Sequence, residues 1–178
     1  LSVIAMGAWA QPQFSHPHGL YRQTTLTVGI SATDSEAEIR YTIDGSVPTA
    51  QSNLYTAPLT INATTLLRAA EVKADTLCSA VTTASYIFVE SVLSQPNDPV
   101  GYPAEWGQYT DIQGTAIADY EMDPEMTGDE TLRLKIVEGL YDLPILSIVT
   151  DKDNLFSHEN DTARGGIYIF TGPPVGDA

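Results

Sequence analysis

The sequence predicts a mainly β protein, in which an antiparallel β-sandwich is followed by a long linker and an incomplete mixed α/β segment. Short strand patterns recur between turn residues through residues 12–88, and this spacing is typical of a sandwich. The same region has no convincing helical period. The charge then changes, because residues 1–88 carry six acidic side chains and residues 89–178 carry 17, against four basic ones in each part. This difference indicates two units.

Composition excludes several classes of function. The chain has 178 residues, of which 43% are hydrophobic, and its formal net charge is −15. A packed core is therefore feasible, whereas such an acidic surface repels phosphate backbones, and we expect no nucleic-acid partner. No apolar run approaches the roughly 18 residues of a membrane span, so we expect no transmembrane segment. The single Cys78 excludes an intramolecular disulfide and a cysteine-based zinc site.

Residues 1–11 are treated as a separate segment. They are apolar and contain Ala8, Trp9 and Ala10 in an A-x-A arrangement. This resembles the end of a secretory signal peptide, although the basic n-region is missing. The alternative is a first strand or a linker from a preceding domain, and the sequence leaves both interpretations open.

Five stretches predict the strands of the sandwich. Residues 24–30 and 39–43 alternate apolar and polar side chains, which is the pattern of half-buried strands. Asp44 and Gly45 follow as a turn signal, because glycine accepts a positive φ without a Cβ clash. The other three strands are predicted at 58–61, 65–72 and 80–88, where Thr, Val, Ile and Tyr are enriched.

Residues 12–88 also resemble a known family. The motif YTIDGSVPT at residues 41–49, with PQFSHPHGLY before it and SNLYTAPLTI, TTLLRAAEV and SYIF after it, is similar to the C-terminal module of chitobiases and β-hexosaminidases. That module is also called fibronectin-III-associated. The resemblance implies an immunoglobulin/fibronectin-III-like sandwich without a catalytic site of its own.

The motif has a structural and a functional interpretation. The functional interpretation is a sugar-contact face formed by Tyr41, Asp44, Ser46 and Tyr55. The structural interpretation is that Asp44 accepts backbone N–H groups in an Asx-turn and that Tyr41 faces the core in phase with its strand. We favour the structural interpretation, because Tyr41 lies in phase with Ile39 and Ile43. Separately, nothing in residues 12–88 offers a nucleophile, a base or a paired acid in a reactive spacing.

Residues 89–142 predict an extended linker with an acidic stretch and a short helix. Long irregular segments dock on their neighbours through aromatic side chains, and here these are Tyr102, Trp106 and Tyr109. Asp123 is the predicted N-cap of a turn that begins with Pro124. A short helix is predicted over residues 129–138 and is expected to end at Gly139.

Residues 143–178 predict the first strands of a further domain. Residues 144–150 form a continuous apolar run, which is typical of a central strand buried on both faces. Residues 166–170 are the predicted neighbour or hairpin partner of that strand. The second part of the chain is therefore expected to be mixed α and β.

The second part has its own resemblance. VLSQP at 92–96, GYP at 101–103, DYEMDP at 119–124 and LPILSIVTD at 143–151 resemble the entry of large secreted bacterial CotH-family proteins, which are similar to spore-coat CotH kinases. The resemblance implies an exported protein, periplasmic, extracellular or at the cell surface. It also implies that the partner of this segment is a downstream CotH-like domain of the same chain. The kinase active site would lie in that domain, and no phosphate-binding glycine motif occurs here.

Acidic residues suggest a possible calcium site. Alternating carboxylates repel one another unless they are solvated or bridged by a cation, and Ca²⁺ prefers oxygen ligands. The candidates are Asp119, Glu121 and Asp123, with Asp151 and Asp153 as a second group. Neither group fits the EF-hand spacing, and the favoured interpretation is solvated acids on loops and helix starts. No other cofactor is expected.

The leading hypothesis is a non-catalytic structural or docking module of an exported, multidomain CotH-like protein. The first alternative is a carbohydrate-binding module, with a glycan as partner. The second alternative is the N-terminal portion of a CotH-like atypical protein kinase. The fragment itself is not expected to be an enzyme.

Overall fold

The computed structural model describes residues 11–108, 114–150 and 153–156. The chain divides into two compact units, Leu1–Val89 and Glu90–Ala178, and the division falls where the charge density also changes. The predicted mainly β class is confirmed, with several antiparallel strand pairs and a smaller helical part. In the part of the chain that the structure describes, no helix is long and apolar enough to cross a membrane.

The described residues of the first unit, 11–89, contain ten strands. They are β1 (Gln13–Phe14), β2 (Gly19–Tyr21), β3 (Leu26–Val28), β4 (Ile30–Ser31), β5 (Glu38–Thr42), β6 (Asn53–Leu54), β7 (Leu59–Ile61), β8 (Thr65–Lys73), β9 (Thr76–Leu77) and β10 (Thr82–Phe88). The largest sheet has the order β2-β10-β8-β5-β6, and β9 pairs with β8. Two smaller antiparallel pairs, β1–β4 and β3–β7, supply the other strands.

Among the strand pairs of the described residues, β10–β2 is parallel and the others are antiparallel. Strand β10 runs antiparallel to β8, with Ala84 opposite Leu67, but it pairs in parallel with β2, where Tyr86 lies opposite Gly19. This parallel edge is a detail that the prediction of an antiparallel sandwich did not include. Strand β2 precedes β10 by a long stretch of chain, so no hairpin forces the two to run in opposite directions.

The hydrophobic core is formed by residues of the large sheet and of the two smaller pairs. Leu26, Val28, Ile30 and Ile61 come from β3, β4 and β7 and form one cluster with buried residues of β5, β8 and β10. Burial of this apolar surface is the main stabilising contribution to such a domain. Tyr86 is fully buried at its centre, and its hydroxyl donates to the His16 carbonyl at 3.0 Å. Burial raises the pKa of that phenol.

A buried carboxylate connects β8 to the loop between β4 and β5. Glu71 is 1% exposed. Its Oε1 accepts from the Thr33 N–H at 2.6 Å and its Oε2 from the Asp34 N–H at 3.3 Å. On the surface above it, Lys73 forms an ion pair with Asp34 at 2.5 Å. The hydrogen bond to Lys73 is the largest cause that holds the pKa of Asp34 below its ordinary value.

The second unit is mixed in its described residues. It contains most of α1 (Val89–Leu93), then β11 (Glu105–Gln108), β12 (Thr115–Ile117), α2 (Pro124–Gly128), α3 (Glu130–Asp142) and α4 (Asp153–Phe156). Strands β11 and β12 pair antiparallel with an irregularity between Glu105 and Gly107, so part of the predicted linker is a hairpin. The first residues of the predicted linker, 89–93, form α1.

The predicted N-cap of α2 is confirmed, whereas the predicted helix over residues 129–138 is shifted to Glu130–Asp142. Asp123 caps α2 by accepting from the Glu125 N–H, with Pro124 in the first turn. Asp129 caps α3 by accepting from the N–H groups of the next turn, at 2.8 and 2.9 Å. Gly139 does not end α3, which continues to Asp142. One interior glycine costs a helix only about 1 kcal/mol, so the flanking helix formers prevail.

The predicted central strand at residues 144–150 is absent. These residues belong to no strand and are mostly exposed, with Leu146 at 86% and Ile148 at 74%. A strand buried on both faces needs neighbours to supply its ladder hydrogen bonds. The proposed neighbour, residues 166–170, lies outside the described residues, as do residues 1–10 and Tyr109.

Candidate functional site

The signature loop, residues 43–52, leaves β5 as an Asx-turn. Asp44 Oδ1 accepts from the Ser46 backbone N–H at 3.0 Å and from the Ser46 hydroxyl at 2.6 Å. The hydrogen bond from the Ser46 hydroxyl is the main cause that lowers the pKa of Asp44 below its ordinary value, and the bond from the Ser46 N–H is the next. Gly45 has a φ of +86°, and a Cβ there would lie 2.9 Å from Leu66 Cδ2. The geometry therefore supports the structural interpretation, in which Asp44 and Gly45 form the turn.

Two arginines on neighbouring strands hold the signature loop against the large sheet. Arg68 of β8 donates to the Gly45 carbonyl at 2.9 Å, and Arg40 of β5 donates to the Ser52 carbonyl at 3.2 Å. The Thr42 hydroxyl donates to the Ser46 carbonyl at 2.6 Å. Side chains from the sheet thus donate hydrogen bonds to backbone carbonyls of the loop. An irregular loop needs such partners, because it lacks the regular hydrogen bonds of a helix or a sheet.

The two tyrosines of the predicted sugar-contact face contribute to the core instead. Tyr41 and Tyr55 are half-buried and pack against the core cluster. The Tyr55 hydroxyl accepts from the Ile30 N–H at 3.0 Å, while the Tyr41 hydroxyl forms no hydrogen bond among the described residues. Tyr41 faces the core with Ile39, as predicted, but Ile43 has left the strand and is exposed. Asp44 and Ser46 are thus hydrogen-bonded to each other at exposed positions, whereas Tyr41 and Tyr55 are half-buried against the core.

Two of the candidate calcium residues accept hydrogen bonds from backbone groups, and the others are exposed or lie beyond the described region. Asp119 Oδ1 accepts from the Glu121 N–H at 3.2 Å, and Asp123 is the cap of α2. Asp153 is exposed in the first turn of α4, and Asp151 lies outside the described residues. Among residues 11–108, 114–150 and 153–156, no three His, Cys, Asp or Glu side chains are placed to hold a metal ion. The calcium site stays a prediction without geometric support.

A group of four aromatic side chains in the second unit was only partly expected. Tyr102 and Trp106 had been singled out as docking residues, and the structure adds Tyr120 and Phe156 to them. We call these four residues the aromatic cluster. Burial is the main cause that raises the pKa of the Tyr120 phenol above its ordinary value. The nearby Tyr102 raises it further. No spacing rule in the sequence links Phe156 to residue 102, so this member had no sequence signal.

The comparisons with known proteins support the resemblance of the first unit alone. The family model of the chitobiase/beta-hexosaminidase C-terminal domain matches residues 16–83, which confirms that part of the sequence resemblance. No curated protein and no solved structure matches the chain significantly. The CotH-family resemblance of residues 92–168 is not supported by any comparison and stays a prediction.

Proposed function

We propose that residues 12–88 form a non-catalytic structural module, associated with glycoside hydrolases as the matched family's name indicates, which packs against or presents a neighbouring domain. The observation that supports this most directly is the use of the signature side chains. The Asp44 carboxylate and the Tyr55 hydroxyl both bind backbone groups of the same unit. Polar atoms engaged in this way stabilise a loop or a strand, which is the role that the proposal gives them.

A comparison of two tyrosine variants tests this role. Tyr55→Phe deletes a hydroxyl that accepts from Ile30 N–H, whereas Tyr41→Phe deletes one that has no hydrogen bond among the described residues. We expect Tyr55→Phe to lower the free energy of unfolding by about 1–3 kcal/mol, because a part-buried N–H loses its partner. Tyr41→Phe is expected to change it by less than about 0.5 kcal/mol. Thermal and urea unfolding of the 178-residue chain measure both.

The same variants discriminate the sugar-binding alternative for the sandwich. If Tyr41, Asp44, Ser46 and Tyr55 contact a glycan, Tyr41→Phe and Asp44→Asn would reduce binding on a glycan array. Asp98→Asn, a change at an exposed aspartate, is the matched control. A loss of glycan binding in Tyr41→Phe without a loss of stability would refute the structural role.

We further propose that the parent protein is exported and CotH-like, with the second unit leading into a downstream domain. The support is that the segments at residues 92–96, 119–124 and 143–151 resemble CotH-family proteins. A kinase site needs a phosphate-cradling lysine or glycine loop and metal-holding acids, and the sequence printed here has no such motif. We therefore expect no ATP binding by the 178-residue chain in a titration with Mg²⁺ present. Micromolar ATP affinity of this chain would overturn the assignment of the active site to a downstream domain.

A further inference from the structure

In the aromatic cluster of the second unit, each of the four rings contacts two of the others. Tyr102 contacts Tyr120 with a centroid separation of 5.8 Å, and Tyr120 contacts Trp106 at 4.9 Å. The Phe156 ring centroid lies 6.3 Å from that of Trp106 and 5.6 Å from that of Tyr102. The Tyr102–Phe156 pair is perpendicular, at 87°. Each ring therefore has two neighbours that restrict its orientation, as in the favoured geometries of aromatic pairs.

Hydrogen bonds hold one member of the cluster in place while two others remain accessible. The Tyr120 hydroxyl donates to the Pro103 carbonyl at 2.9 Å, and Gln95 Nε2 donates to the Tyr120 carbonyl at 2.5 Å. Tyr102 is nevertheless 49% exposed and Trp106 is 37% exposed. Large aromatic surface that is both fixed and open to solvent is uncommon on a soluble protein and indicates a contact site.

Carboxylates lie next to these rings in the chain. Asp119 and Glu121 flank Tyr120, and both are exposed, as is Asp153, which lies in the same helical turn as Phe156. An anionic ligand would be repelled by these charges. A protein partner seated on the rings would have to remove the carboxylates from water, which is costly without paired cations. Neither objection applies to a neutral ligand rich in hydroxyl groups, because hydroxyl groups donate hydrogen bonds to carboxylates.

We propose that the aromatic cluster is a binding site for a neutral saccharide, distinct from the signature loop of the first unit. The face of an aromatic ring carries the negative part of its quadrupole, and it attracts the weakly positive C–H groups of a pyranose face. The rings of Trp106 and Tyr102 stack on the sugar, and Asp119 and Glu121 accept from its hydroxyls. The inference does not depend on the proposed role of the sandwich, because it concerns other residues.

Isothermal titration of the 178-residue chain with neutral hexasaccharides tests the proposal. The probes are β-1,4-linked hexamers of glucose, xylose and N-acetylglucosamine, with a polygalacturonate oligomer as the anionic comparison. We expect at least one neutral hexamer to bind and the anionic oligomer to bind more weakly. Trp106→Ala is expected to weaken the affinity about tenfold or more, the effect of about one lost stacking contact.

Two further variants separate binding from folding. Trp106→Phe retains a ring within the cluster and is expected to keep most of the affinity, whereas Tyr55→Phe, in the first unit, is expected to leave the affinity unchanged. The proposal is overturned if no neutral hexamer binds at millimolar concentration, or if Tyr55→Phe abolishes binding. It is also overturned if the chain forms a dimer in light scattering that Trp106→Phe retains and Trp106→Ala dissociates, because a second copy would then cover the cluster.

Discussion

Replacement of the Glu71 carboxyl group by an amide is expected to destabilise the first unit more than any comparable change at its surface. In Glu71→Gln, Oε1 can still accept from the Thr33 N–H, but an amide NH₂ then faces the Asp34 N–H, and two donors meet. Hydrogen bonds to a charged group contribute about 1.5–3 kcal/mol, and a buried unsatisfied donor costs about 1–3 kcal/mol. The Asp34 bond is the longer of the two, at 3.3 Å against 2.6 Å. We therefore expect a loss of about 1–3 kcal/mol.

Glu71→Leu removes both acceptors and is expected to cost about 2–5 kcal/mol, because two backbone donors then lack partners. Glu36→Gln is the matched control, since Glu36 has an 84% exposed side chain and only a surface contact with Lys73. Scanning calorimetry measures these changes, and for a domain of 60–100 residues each kcal/mol lowers Tm by about 4–8 °C. If Glu71→Gln and Glu36→Gln unfold at the same temperature, the assigned role of the buried carboxylate is incorrect.

Three further predictions concern a turn, a helix start and pH. Gly45→Ala should destabilise the first unit by about 1–3 kcal/mol in urea unfolding, because φ is positive and Leu66 must move; an unchanged midpoint would contradict this. Asp129→Ala should lower the helical circular-dichroism signal and cost about 0.5–2 kcal/mol, because α3 loses its N-cap, whereas Asp98→Ala should do neither. Because the folded pKa of Asp44 is lowered, its stabilising contribution is complete above the ordinary aspartate pKa of about 4 and is lost as the pH falls below it. The wild-type chain should therefore lose more stability than Asp44→Asn between about pH 5 and pH 2, and equal losses would contradict the assignment.

Short-range chemistry made the turns and helix starts predictable. An aspartate two residues before a backbone N–H, as in the Asp44 turn and the Asp123 cap, can be identified from a few adjacent letters because its partner is local. The strand pattern of residues 39–42 was equally readable, since alternate side chains face opposite sides of a sheet. The turn at Ile43 interrupted the alternation sooner than the pattern indicated.

Long-range partners were not predictable in this way. Tyr55 binds Ile30, 25 positions earlier, and Glu71 reaches Thr33 across 38 positions. Neither residue type has a preferred partner at such separations, because the fold alone brings them together. The apolar run at 144–150 shows the opposite problem, since hydrophobicity and β propensity predict a strand only if a neighbour supplies its ladder.

The exposed run after α3 also bears on how the protein behaves in concentrated solution. Residues 143–150 carry no charged side chain, and several of their apolar side chains face water. Uncharged β-prone windows of this length are the segments from which cross-β stacking begins. Pro144 near one end and Asp151 directly after the other are the kinds of residue that natural sequences use as gatekeepers.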